Sequence, residues 1–258
     1  LSTAERLQKV LARQGLGSRR QLEHWIVAGR VKVNGQLAEL GMRVTSNDRI
    51  YIDGRPLRLT SSQSTRVLIY NKPEGEICSR HDPQGRKTVF DALPKLKQGR
   101  WLGVGRLDIN SQGLLLFTNN GELAHRLMHP SQQIEREYAV RVQGTVTEQL
   151  LTHLKQGVLL EDGPARFITI NFAGGDGRNQ WYHVTLCEGR QREVRRLWQS
   201  QPDIQVSRLI RIRYGHVQLP RNLPRGRWRE LTGAETKALD GSAGLSHPVN
   251  KAKSQIRK

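Results

Sequence analysis

Gly105-Arg106-Leu107-Asp108-Ile109-Asn110-Ser111-Gln112-Gly113-Leu114-Leu115-Leu116-Phe117-Thr118-Asn119-Asn120-Gly121 joins two signals in one run. A glycine-bounded loop presents Arg106 and Asp108, and it feeds a wholly apolar strand over Leu114–Thr118. Charged side chains at the mouth of a buried strand suit a functional loop held by a rigid element. By themselves they leave two readings open, catalysis or a plain Arg-x-Asp salt bridge in the loop. Outward from this run, further strands are predicted at Val67–Asn71, Tyr138–Gln143, Phe167–Phe172, Trp181–Cys187 and Val206–Tyr214. Helices are predicted at Glu122–Met128, Thr147–Gln156 and Gln191–Gln199. Strands outnumber helices and do not alternate with them regularly, so the expected class is α+β with a mainly antiparallel mixed sheet over residues 66–240.

The chain has 258 residues, with 42 Lys and Arg against 23 Asp and Glu, a net charge of +19. Such an excess opposes compactness unless a polyanion neutralises it, so nucleic acid is the expected partner. Cys78 and Cys187 form neither a disulfide framework nor a zinc site and fit a reducing cytoplasm. The longest apolar strip is Leu114–Phe117, far short of a membrane span, and no secretory signal opens the chain. A cytoplasmic monomer without a membrane role is the expectation.

Residues 1–55 read as a small unit of their own. Ser2 with Glu5 suggests a capping box for a helix carrying Leu7, Val10 and Leu11, which Gly15 and Gly17 end. Ser18 with Gln21 caps a second helix that buries Leu22, Trp25 and Ile26 and stops at Gly29. Val31–Val33 and Gln36–Ala38 flank Asn34-Gly35, a hairpin turn signal, and Ile50–Ile52 adds a strand. Arg19 and Arg20 stand in the first turn of the second helix, where the helix dipole disfavours cations by about 0.3–1 kcal/mol each. They are read either as a grip on phosphate or as two solvated arginines. Residues 56–65 are polar enough for a linker, and 241–258 read as a basic disordered tail.

The helix pair, its Gly-Ser-Arg-Arg turn and its Val-Asn-Gly hairpin resemble the RNA-binding domain named after ribosomal protein S-four. The Gly-Arg-Leu-Asp loop followed by Gly-Leu-Leu-Leu-Phe-Thr resembles the central motif of the pseudouridine synthases. Three more segments match that family in its order: Lys72-Pro73-Glu74-Gly75, Glu135-Arg136-Glu137-Tyr138, and Glu188-Gly189-Arg190-Gln191-Arg192-Glu193-Val194-Arg195-Arg196-Leu197. From residue 5 to about 230 the chain is similar to the RsuA/RluB-type ribosomal RNA pseudouridine synthases. It departs from their pattern at Ser111, where threonine is common, at Asn120 for aspartate, and at Arg192-Glu193 for a frequent His-Gln pair.

The resemblance implies isomerisation of a uridine in 23S ribosomal RNA or a large-subunit assembly intermediate, after the base is flipped from its stack. It implies no cofactor and no metal. Asp108 would be the nucleophile, attacking ring or sugar. Arg195, with Arg190 as second choice, would keep it ionised. Tyr138 would stack on the uracil and assist a proton. Arg106 would enter the vacated stack or hold a phosphate, and Lys72 would fix the catalytic loop or a phosphate. Alternation along Val206–Tyr214 places Arg211 and Arg213 on one surface, readable as a phosphate-tracking edge.

Other chemistries lack support. Gly103-Val104-Gly105 begins like a dinucleotide fingerprint, but Asp108 occupies its third glycine position. His125 and His129 have no third ligand nearby in sequence, and His81-Asp82-Pro83 reads as a turn. A glycoside- or phosphoester-cleaving enzyme would need a second matched carboxylate or metal ligands. The strongest rival is a non-catalytic RNA-binding ribosome assembly factor on the same scaffold. It accounts for the charge, but not for the coexistence of loop, tyrosine segment and basic third motif.

Overall fold

The computed structural model describes residues 4–59, 64–80 and 82–242. Its N-terminal part contains Glu5–Arg6 (β1), Leu7–Arg13 (α1), Arg19–Val27 (α2), Val31–Val33 (β2), Gln36–Leu37 (β3), Arg43–Val44 (β4), Ile50–Ile52 (β5) and Arg55–Leu57 (β6). Leu7, Val10, Leu11, Leu22 and Ile26 meet Val31, Val33 and Ile50 in one apolar cluster. The second cap forms as the sequence indicates: the Gln21 backbone N–H donates to Ser18 Oγ at 3.1 Å. Asn34 and Gly35 both take positive φ, 52° and 88°, as a two-residue hairpin turn requires.

Two expectations change here. Glu5 does not cap α1. It lies in β1, opposite Val44, its carboxylate accepts from Arg13 at 2.7 Å, and α1 begins after Arg6 without a side-chain cap. Ser2 lies outside the described residues. Pro56 and Leu57, read as linker, instead extend the sheet by pairing β6 with β5.

The larger part comprises Val67–Lys72 (β7), Leu102–Val104 (β8), Gln112–Thr118 (β9), Gly121–Met128 (α3), Arg136–Gln143 (β10), Glu148–Gln156 (α4), Val158–Leu160 (β11), Gly163–Ala165 (β12), Thr169–Asp176 (β13), Asn179–Leu186 (β14), Glu193–Gln199 (α5), Gln205–Tyr214 (β15), Val217–Gln218 (β16), Trp228–Glu230 (β17) and Gly233–Ser242 (α6). Among the described residues, nine of these strands form one sheet, ordered β13-β14-β10-β15-β9-β7-β17, with β16 on β15 and β8 on β9. Only the β15–β9 pair in it is parallel, so the class is the expected α+β with a mainly antiparallel sheet. Helix α6 covers Gly241 and Ser242, which were expected to belong to the tail; the rest of that tail lies outside the described residues.

The apolar run of β9 has a direct physical cause. Leu115 and Phe117 enter the core on one face of the sheet, with Leu68, Tyr70, Leu197 and Trp198. Leu114 and Leu116 enter the core on the other face, with Val67, Ile69, Leu123 and Leu127. A strand covered on both faces has no place for polar alternation. Asn120, which departs from the family's aspartate, caps α3 by accepting from the Glu122 and Leu123 backbone N–H groups. An amide oxygen does this as well as a carboxylate.

Where β9 meets β15 the backbones are crowded. Gly113 has φ +99°, and a Cβ there would stand 2.3 Å from the Arg211 carbonyl oxygen. Gly113→Ala is therefore expected to cost about 3 kcal/mol or more, through strained backbone and a forced parting of the strands. Urea denaturation would measure it, and a loss below about 1 kcal/mol would contradict this packing.

Candidate active site

Asp108 lies on the loop between β8 and β9, and five consecutive carbonyls of that loop are tied down. Leu107 O accepts from Cys78 Sγ at 3.2 Å, and the Leu107 N–H returns to the same sulfur at 3.4 Å. Lys72 Nζ donates to Asp108 O at 3.1 Å, Ile109 O at 3.4 Å and Ser111 O at 2.8 Å, and also to Pro73 O at 3.0 Å. Gly75 N–H reaches Ile109 O at 2.9 Å, while Arg195 Nη2 donates to Asn110 O at 2.9 Å. Every carbonyl from 107 to 111 thus has a donor, three of them from one ammonium group.

This geometry assigns Lys72 between its two expected roles. The side chain is wholly buried, so it fixes the loop and does not reach a phosphate. Burial pushes its pKa down, opposed by Cys78, Glu76, Asp108 and Glu74. Arg195, also buried, donates to Val206 O at 2.8 Å as well as to Asn110 O, so it clamps β15 to the loop that carries Asp108. It makes no salt bridge with Asp108. Burial lowers its pKa and Arg192 adds to this, while Asp108 and Glu74 oppose through space. Arg190, the second choice, is committed elsewhere: it pairs with Glu188 at 2.5 Å and with Asp162 at 3.5 Å, and donates to Pro164 O at 2.8 Å.

A cavity of about 1080 Å³ opens over this loop. Arg106, Asp108, Ser111, Tyr138, Leu209 and Arg211 contribute to its walls. Tyr138 is 8% exposed, on β10, and Arg106 is exposed at the mouth. The Ser111 hydroxyl is buried without a hydrogen-bond partner among the described residues, as is Arg211 Nη2.

Arg211 and Arg213 do not form a phosphate-tracking edge. β15 lies inside the sheet between β10 and β9, and Arg211 is 2% exposed with its Nε on Leu114 O at 2.7 Å. Arg213 is engaged by Glu137 at 2.8 Å and Glu135 at 3.0 Å. Arg19 and Arg20 are exposed on α2 and line a separate cleft. Sequence reasoning missed Cys78 and Leu209; the backbone work of one and the wall position of the other leave no signature in local pattern.

A clamp that needs two separated N–H groups cannot be replaced by a single ammonium. Arg195→Lys is expected to lower kcat about a hundredfold, because small misplacement of a reacting group has that cost. Steady-state kinetics on ribosomal RNA, the substrate that the resemblance implies, would test this, and an unchanged kcat would contradict the clamp.

The RNA pseudouridylate synthase family profile matches residues 66–200, and the S4 domain profile matches residues 5–50. The chain belongs to the pseudouridine synthase family. The synthase is 59% identical over 259 residues to the ribosomal large subunit pseudouridine synthase B of Salmonella typhi, covering 99% of this chain and 88% of that one. It is 61% identical over 240 residues to the protein of the same name from Escherichia coli strain K12, covering 92% and 82%. A solved structure of a pseudouridylate synthase superposes with a TM-score of 0.63 at 29% identity, covering 91% of the synthase and 99% of that chain. The enzymatic reading therefore stands and the non-catalytic rival falls. No helix among the described residues is long and apolar enough to cross a membrane.

Proposed function

We propose that the chain converts a specific uridine of large-subunit ribosomal RNA to pseudouridine, with Asp108 as nucleophile. The observation that carries this is the pairing of Asp108 and Tyr138 in one cavity above a loop whose carbonyls are all held. The names of its relatives support the large-subunit substrate.

The chemistry is an isomerisation. The bond from uracil N1 to ribose C1′ breaks, a bond from C5 to C1′ forms, the C5 proton leaves and N1 gains one. Nothing is oxidised or reduced, and no group is lost. A carboxylate that forms and releases an adduct, on the ring or on the sugar, makes detachment reversible within the site. Asp108 supplies that carboxylate. Tyr138 covers the base and stands within the cavity to move the C5 proton. Arg195 positions the loop from behind, by its hydrogen bond to the Asn110 carbonyl. Arg106, exposed at the rim, fills the gap left by the flipped base, which offsets part of the few kcal/mol that unstacking costs.

Mapping pseudouridines in ribosomal RNA from cells with and without the gene tests the substrate. One site in large-subunit RNA is expected to disappear. Loss confined to small-subunit or transfer RNA would overturn the assignment.

A further inference from the structure

Five non-glycine residues among those described take a positive φ: Asn34, Asp53, Gln133, Arg192 and Asp203. Asn34, Asp53 and Asp203 are of the types that adopt this conformation readily. The other two, Gln133 and Arg192, are both exposed and both line the cavity that holds Asp108. Such strain collects at ligand clamps, where function retains what folding alone would relax. Arg192, at φ 52° and ψ 27°, immediately precedes α5 and makes no capping hydrogen bond with its side chain. The helix therefore gains nothing from that side chain.

The carboxylates of this lip of the cavity are committed elsewhere. Glu193 is 4% exposed and accepts from the Arg190 backbone N–H at 3.1 Å. Glu188 pairs with Arg190 at 2.5 Å, and Asp162 pairs with Arg196 at 2.8 Å and with Arg190 at 3.5 Å. Arg190 also donates to Gly163 O at 3.3 Å and Pro164 O at 2.8 Å, which fastens β12 to the turn before α5. Arg166, directly after β12, is exposed and lines the same cavity. One lip thus carries Arg166 and Arg192, and neither side chain has a hydrogen bond or salt bridge among the described residues. Arg192 also presses on Arg195: after burial, its charge is the next largest cause that lowers the Arg195 pKa.

Two unneutralised guanidinium groups at the edge of this cavity, one of them on strained backbone, suit a phosphodiester, whose oxygens match the paired N–H groups of arginine. We infer that Arg166 and Arg192 bind backbone phosphates beside the flipped uridine, and that the conformation of Arg192 is kept for this contact at a cost in stability. The inference rests on the RNA substrate proposed above. It gives a substrate contact to Arg192, where the chain departs from the histidine frequent in its family.

The test uses the whole protein and ribosomal RNA, with Arg192→Gly, Arg192→Lys and Arg166→Ala. Glycine accepts the positive φ without strain and removes the guanidinium. Arg192→Gly is therefore expected to unfold at the parent's temperature or above it, yet to raise KM about tenfold, with the loss falling on KM more than on kcat. The salt dependence of its binding is expected to flatten by roughly 0.7 for each phosphate no longer neutralised. Arg192→Lys keeps the charge and is expected to hold KM within about threefold of the parent's. Arg166→Ala, in an exposed connection, is expected to raise KM by about the same factor as Arg192→Gly. A lower unfolding temperature in Arg192→Gly would mean that the strain serves the fold, and would overturn the assignment. Unchanged KM and salt slope in Arg192→Gly or in Arg166→Ala would overturn it too, as would a loss confined to kcat. Pseudouridine formation by the unaltered protein separates the two readings: formation with unaffected variants removes the lip alone, and no formation on any ribosomal RNA removes the RNA substrate.

Discussion

Asp108→Asn is expected to retain RNA affinity within about threefold and to lose pseudouridine formation by at least about a thousandfold. The loop does not depend on the carboxylate. Its backbone is held by Lys72, Gly75, Cys78 and Arg195, and the Asp108 side chain has no hydrogen bond or salt bridge among the described residues. An amide of the same shape therefore leaves the cavity intact and removes only the carboxylate proposed as nucleophile. Filter binding measures the first quantity and chemical mapping of pseudouridine the second. Loss of both together would mean that Asp108 is structural, and the proposed role would fail.

Lys72→Met is the second large effect. Methionine approximates the lysine stem in volume, so the core stays filled. What disappears is one donor group serving four carbonyls. Asp108 O keeps the Ser111 N–H at 3.0 Å, and Ile109 O keeps Gly75. Pro73 O and Ser111 O lose the ammonium that now stands at 3.0 Å and 2.8 Å. Leaving buried acceptors unpaired costs about 1–3 kcal/mol each, partly offset by removing a buried ammonium. The expected net loss is about 2–4 kcal/mol in urea denaturation, with kcat down about a hundredfold or more as the loop relaxes. Wild-type stability and turnover in this variant would contradict the pinning of the loop.

The sequence carried the larger elements well because their causes are local. Leu114–Thr118 announces a strand buried on both faces, and Ser18 with Gln21 announces a cap that forms as read. It failed where tertiary partners decide. Alternation suggested that Arg211 and Arg213 share an open surface, yet β15 is interior and both faces of the sheet are covered, with Leu209 in one core and Tyr214 in the other. A register irregularity between Glu137 and Tyr138 also breaks the simple period. Arg195 was expected beside the aspartate as a counter-charge; it instead binds the carbonyl two residues on, an arrangement no motif spacing encodes. The pairing of β6 and the extent of α6 were missed because polar surface residues and a single proline mask short elements that packing stabilises.

Release of tritium from ribosomal RNA labelled at uridine C5 reports the central step, since that hydrogen must leave when C5 bonds to ribose. The purified protein and the RNA alone, with chelator present, are expected to release it in proportion to pseudouridine formed, and Asp108→Asn to release none. Equal release by the two proteins would contradict the account.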